Sequence, residues 1–194
     1  MATNVLLCGV GGQGTVLASK LIGLAAMERG ENVRTAETIG MAQRGGCVVS
    51  HVRTGDTIHS PLIPIGEADV LIGFEPGEAV RCLPYLKKDG IVIVNNKPVK
   101  PITATLTGSN YNGEDMISYL KENIKSCYVI NGEDICNECG SAKVLNIVLL
   151  AAAVKYANLG MSIEDLKATI LHKIPEKFHK LNLLAVDKAC EQNI

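Results

Sequence analysis

The chain has 194 residues, of which 47% are hydrophobic and 20% charged, and its formal net charge is -1. That size fits one domain spanning residues 1–194, the apolar fraction excludes a disordered chain, and the lack of a basic stripe argues against a nucleic-acid partner. Two Phe, five Tyr and no Trp require an aliphatic core.

The first residues, Met1-Ala2-Thr3-Asn4, lead directly into an apolar segment without the basic region and cleavage site of a signal peptide. Asn4 to Val10 reads as a buried parallel strand that ends in glycines. From about Gln13 to Arg29, Val16, Leu17, Leu21, Leu24 and Ala25 share a helical face, and Gly30 closes the helix. Asn32 to Glu37 is a second strand, which makes a strand–helix–strand unit with the first and should lie beside it. A polar, glycine-bearing loop follows, Thr38 to Gly46. Then come a strand at Cys47 to Arg53, a turn at Thr54-Gly55-Asp56 and a short partner strand at Thr57 to Ser60.

Pro61 and Pro64 forbid a regular element. Val70 to Phe74 is strand-like, Pro76 opens a helix, and Ile91 to Asn95 is a further strand. Lys97 to Asn112 reads as irregular, Glu114 to Lys125 as a helix, and Cys127 to Ile130 as a strand. The C-terminal third is helical. Ala142 to Leu159 is apolar on nearly every side, so one face should meet the sheet and the other a partner chain. Ser162 and Asp165 form a capping box, Pro175 ends that helix, and a last helix runs to about Gln192. The pattern is α/β: a Rossmann-like, mostly parallel open sheet flanked by helices. The longest apolar run, Ile147 to Val154, is too short to cross a bilayer, so the expected location is cytoplasmic, with no membrane partner.

Two segments carry chemistry. Gly9, Gly11 and Gly14 satisfy G-x-G-x-x-G between a strand and a helix. There the glycines allow a tight turn, backbone approach by a phosphate and close packing, and the helix N-terminus offers N–H groups to an anion. Glu37 stands where a ribose-binding acid would sit in a dinucleotide enzyme, which keeps an NAD(P)-binding oxidoreductase open as an alternative. A non-catalytic nucleotide-binding regulatory subunit is another. The second segment is Gln43-Arg44-Gly45-Gly46, which combines exposed backbone with an anion-binding guanidinium at the C-terminal edge of the sheet.

The remaining polar groups point to no site. Cys136 and Cys139 form a lone C-x-x-C without the further ligands that zinc or iron–sulfur sites need. His51 and His59 lack a third ligand. His172 and His179 read as helix-face residues. Glu75, Glu78 and Arg81 read as a solvated helix face.

Gly9-Val10-Gly11-Gly12-Gln13-Gly14, Ala36 through Gly46, Ser50-His51-Val52-Arg53 and Gly66 through Pro76 resemble the gamma-type domain of the 2-oxoacid:ferredoxin oxidoreductases. Within that family the likeness is to the beta subunit of the indolepyruvate-oxidising members. It is close from about Val5 to Pro101 and looser beyond. The resemblance implies a subunit, inactive alone, of an enzyme that oxidatively decarboxylates a 2-oxoacid to an acyl-CoA and reduces ferredoxin. Thiamine diphosphate and the iron–sulfur clusters would reside in a larger partner subunit, and coenzyme A in the shared cleft. Carried over, Gly9, Gly11, Gly12, Gln13, Gly14 and Thr15 would bind phosphates, and Gln43, Arg44, Gly45 and Gly46 would line the cleft toward the partner, with Arg44 as anion clamp. The resemblance assigns no catalytic residue to this chain.

Overall fold

The computed structural model describes residues 2–37, 46–99 and 111–192. The strands are β1 (Thr3–Val10), β2 (Asn32–Glu37), β3 (Cys47–Gly55), β4 (Ala68–Gly73), β5 (Leu86–Asn95) and β6 (Ser126–Ile130). The helices are α1 (Thr15–Glu28), α2 (Pro76–Cys82), α3 (Gly113–Asn123), α4 (Gly132–Glu138), α5 (Leu145–Tyr156), α6 (Ile163–Lys173) and α7 (His179–Glu191). The strands form one sheet in the order β2-β3-β1-β4-β5-β6. β1, β4, β5 and β6 pair in parallel, and β3 runs antiparallel to both β1 and β2.

This is the expected open, mostly parallel sheet with one change of order. β2 does not lie beside β1, because β3 is inserted between them and pairs along the whole of β1, from Thr3 opposite Thr54 to Val10 opposite Cys47. The expected partner strand at Thr57 to Ser60 is also absent. Its chain is held by side chains of β3 instead. Arg53 donates to the carbonyls of Ser60 and Leu62 at 3.1 and 3.3 Å, and Ile63 N–H donates to His51 Nδ1 at 3.2 Å. These contacts satisfy backbone groups that a ladder would otherwise need.

β1 is central, and the uniform apolarity of its sequence follows from that. Val5 and Leu7 enter a core shared with α1 and α5, while Leu6 and Cys8 enter a second core on the opposite face with Ala79 and Cys82 of α2. A strand covered on both faces has no reason to alternate. The aliphatic cores contain a single fully buried Phe, Phe74.

α5 is shorter than the expected Ala142 to Leu159, since Ala142–Val144 form a 3-10 turn and the helix stops at Ala157. Its residues Ile147 to Ala153 are all buried, as the composition requires. The second face is not left for a partner: α7, α1, α4 and α6 cover it within the chain. A helix apolar all round is explained by a sheet on one side and helices on the other. The short helix α4 follows β6 directly and had no clear signal beforehand. Ser162 and Asp165 form the capping box, with N···O distances of 2.8 and 3.1 Å, and α6 ends at Ile174, before Pro175. Among the described residues, no helix is long and apolar enough to cross a membrane.

Candidate functional site

The parallel strands β1, β4 and β5 end along one edge, and the glycine loop sits there. Val10 N–H donates to Gln13 Oε1 at 2.7 Å, Gln13 Nε2 donates to the Phe74 carbonyl at 3.1 Å, and Asn95 Nδ2 reaches the same carbonyl at 3.3 Å. Asn95 Oδ1 in turn accepts from Gly132 N–H at 3.3 Å. This string of amides fixes the C-terminal edge of the sheet. It also commits the Gln13 side chain to Val10 N–H and the Phe74 carbonyl rather than to the cleft. Gly9 has to be glycine because a Cβ there would lie 2.7 Å from both Gln13 Oε1 and Phe74 Cβ.

Gly12 and Gly14 have φ of +102° and +87°, where a side chain is strained. Gly14 caps α1, and a Cβ on it would lie 3.0 Å from Asn146 Nδ2 of α5. Gly12 faces open space. Leu17 and Ala18 N–H both return to the Gly14 carbonyl, while Thr15 and Val16 N–H, in the first turn, have no partner among the described residues. These groups border a cleft of about 330 Å³ lined by Gly11, Gly12, Gly14, Thr15, Val16 and Val48. Unpartnered N–H groups at a helix start, beside glycines that leave room, suit an anionic oxygen.

Of the second segment, Gln43, Arg44 and Gly45 lie outside the described residues. Gly46 adjoins the glycine loop, where its carbonyl accepts from Gly11 N–H at 2.9 Å. The two motifs are therefore adjacent, although β2, which precedes the second, is not next to β1. β3 brings Gly46 to the glycine loop. Glu37 does not take the ribose position of a dinucleotide fold. β3 separates β2 from β1, and Glu37 Oε1 accepts from the Ser19 hydroxyl of α1 at 2.8 Å.

Three acidic and sulfur-bearing residues at the same edge escaped the sequence reading. Glu75 and Glu78 are not a solvated face: they are only 2% and 9% exposed. Glu75 caps α2 by accepting from Glu78 N–H at 2.9 Å, and it also accepts from Val99 N–H and the Tyr111 hydroxyl. Burial first, and then the adjacent Glu75 carboxylate, push the Tyr111 hydroxyl well above its ordinary pKa. Glu78 accepts from the Cys47 thiol at 3.0 Å and from Arg81. The hydrogen bond to Glu78, then burial, raise the Cys47 pKa. The available signal was Glu75-Pro76 directly after a parallel strand, which is an N-cap position at the ligand-binding edge.

The other singled-out residues lie away from the cleft. His51 is buried and edge-on to Tyr85, His172 pairs with Glu28, and His179 contacts the Ile174 carbonyl. Cys136 and Cys139 are buried. Burial, its largest cause, pushes the Cys136 thiol up to about 11 and also raises that of Cys139. Among the described residues, no group of three or more His, Cys, Asp or Glu is placed to hold a metal ion.

Comparison with known proteins adds a family to this geometry. The pyruvate ferredoxin/flavodoxin oxidoreductase family model matches residues 4–192. Indolepyruvate oxidoreductase subunit IorB of Archaeoglobus fulgidus is 38% identical over 100% of this chain and 96% of its own length. Among solved structures, the gamma subunit of the keto/oxoacid ferredoxin oxidoreductase of Geobacter sulfurreducens superposes with a TM-score of 0.72 at 24% identity, covering 98% of this chain and 95% of that one. The 2-oxoglutarate:ferredoxin oxidoreductase of Magnetococcus marinus, whose structure has 2-oxoglutarate, coenzyme A and succinyl-CoA bound, shares the fold over 97% of this chain and 30% of its own, with a TM-score of 0.70 at 20% identity. The chain belongs to the pyruvate ferredoxin/flavodoxin oxidoreductase family.

Proposed function

We propose that this chain is the non-thiamine subunit of an indolepyruvate:ferredoxin oxidoreductase, acting as one domain in the cytoplasm within a hetero-oligomer. The larger partner subunit holds thiamine diphosphate and the iron–sulfur clusters and carries out the decarboxylation and electron transfer to ferredoxin. The observation that carries the reading is the meeting of Gly11 and Gly46 at the open edge of the sheet. It joins the two motifs on which the family likeness rests.

The cleft fits a phosphate-bearing ligand. Gly12 and the Thr15 and Val16 N–H groups present backbone to it, and coenzyme A is the ligand that suits a site facing an acyl-forming partner. Arg44, Gln43 and Gly45 then line the partner-facing side. Coenzyme A supplies the thiol that accepts the acyl group, while this chain's backbone holds and orients its phosphates.

The test is reconstitution. The purified chain should oxidise no indolepyruvate by itself, and from native lysate it should co-purify with a larger chain that contains thiamine diphosphate and iron. Robust 2-oxoacid oxidation by the chain alone, or micromolar NADH binding without such a partner, would overturn the reading.

A further inference from the structure

The two edges of the sheet differ in composition. β2 carries Arg34 and Glu37, charges of the kind that keep an edge from pairing with another chain. β6 reads Ser-Cys-Tyr-Val-Ile, with no charge, proline or glycine. It pairs with β5 on one side, and among the described residues no strand lies on the other.

The register fixes which backbone groups are left over. Asn96 N–H donates to the Ile130 carbonyl at 2.9 Å, so Ile130, and with it Tyr128 and Ser126, turn their backbone groups toward β5. The N–H and C=O groups of Cys127 and Val129 therefore point to the open edge. Both faces beside that edge are apolar. Tyr128 lies on the face covered by α5, where its ring stacks on that of Tyr156 with centroids 4.6 Å apart, and Cys127 and Val129 lie against the core under α2. The two ends of β6 carry opposite charges: Lys125 precedes the strand, Glu133 and Asp134 follow it, and all three are exposed.

We infer that β6 is a docking edge for a second copy of this chain, which pairs antiparallel across a two-fold axis at Tyr128 and doubles the six-stranded sheet. In the register that pairs the whole of β6, Cys127 faces Val129 of the second copy and Val129 faces its Cys127, so the outward N–H and C=O groups of both strands exchange hydrogen bonds. Tyr128 faces its own counterpart at the close, non-hydrogen-bonded position, where aromatic pairs pack. The same arrangement sets the basic start of each strand beside the acidic end of the other, whereas parallel pairing would bring like charges together. This self-complementarity selects a second copy as the occupant. β4 and β5 separate β6 from β1 and its glycine loop, so the pairing leaves the cleft open to the larger subunit, whatever ligand it takes.

Sedimentation equilibrium of the full chain over a range of concentrations should show a dimer. Val129→Lys, which puts a charge on the edge, should raise its dissociation constant at least about tenfold, and Arg34→Glu at the other edge should leave it unchanged. Lys125→Glu, at an exposed position that folding tolerates, should weaken the dimer, and Lys125→Glu/Asp134→Lys should restore it. With diamide as oxidant, Tyr128→Cys should link two copies through position 128, both in the isolated chain and in the assembled complex, and the parent chain should not. A monomer at every concentration would overturn the inference. So would a dimer indifferent to both Val129→Lys and Lys125→Glu, or a cross-link that forms in the isolated chain and is lost in the complex, which would give the edge to the larger subunit.

Discussion

Gly11 donates its backbone N–H to the carbonyl of Gly46 at 2.9 Å, and this bond makes one site of two separate motifs. It also removes Gly11 N–H from the groups available to a ligand. The donors left open to the cleft are then those of the first turn of α1, at Thr15 and Val16, with Gly12 providing the space. Gly12 and Gly14 share a positive φ but differ in surroundings, so the same substitution separates folding from binding. Gly14→Ala should cost about 1–2 kcal/mol for the left-handed backbone, plus the contact with Asn146, and lower the melting temperature by roughly 2–8 °C. Gly12→Ala carries backbone strain without a clash. It should melt closer to the parent chain yet bind coenzyme A more weakly, because its methyl group enters the cleft. Thermal melts and calorimetric titration of both variants check the contrast.

Gln13 tests whether the loop is held by its side chain. Gln13→Glu keeps the acceptor for Val10 N–H but replaces the donor to Phe74 with a carboxylate facing a carbonyl. A loss of about 1–3 kcal/mol is expected at neutral pH. The folded state would raise the pKa of the new carboxyl, because only its protonated form can donate. The stability deficit should therefore shrink as pH falls through that raised pKa, and denaturant unfolding of the variant and the parent at pH 5 and pH 8 measures it.

Much of this arrangement was legible in the sequence. Glycine-flanked apolar runs revealed the central strands, and Ser162, Asp165 and Pro175 marked the bounds of α6, because these signals are local. The strand order was not, since pairing of β3 between β1 and β2 is a long-range choice that no single segment encodes. The burial of Glu75 was hidden for the same reason. Charges at helical spacing look solvated until Tyr111 and Val99, well along the chain, come to rest on the carboxylate. The all-round apolarity of α5 correctly announced burial of both faces, but composition could not say that the covering helices belong to this chain.

His51 gives the fold an acid-side sensitivity. Burial lowers its pKa below the ordinary value of 6.5, and in its neutral form Nδ1 accepts from Ile63 N–H. Because the folded pKa is depressed, this contribution to stability is fully present above about pH 6.5 and is lost as pH falls through the unfolded and then the folded value. The slope from this one group cannot exceed about 1.4 kcal/mol per pH unit. His51→Gln, which does not titrate, should unfold with a flatter pH dependence between pH 7 and 5. An NMR titration of the His51 ring should give a midpoint below 6.5. A midpoint at or above that value would remove the basis of the expectation.

Cys47 is exposed and follows Gly46 directly, the setting of a reactive thiol. Its hydrogen bond to Glu78 argues the reverse. A thiol that donates to a carboxylate is stabilised as the neutral form, and its thiolate would face a negative charge, so its pKa is raised and its nucleophilic fraction near neutrality reduced. Iodoacetamide at pH 8 should therefore modify Cys47 slowly. Glu78→Gln removes the carboxylate and leaves the Arg81 guanidinium free to favour the thiolate, which should accelerate modification by about threefold to tenfold. Peptide-level mass spectrometry reads the rate at Cys47, with the fully buried Cys8 and Cys82 as internal controls for unfolding. If Cys47 reacts at the same rate in parent and variant while Cys8 and Cys82 stay protected, the Glu78 carboxylate does not govern the thiol.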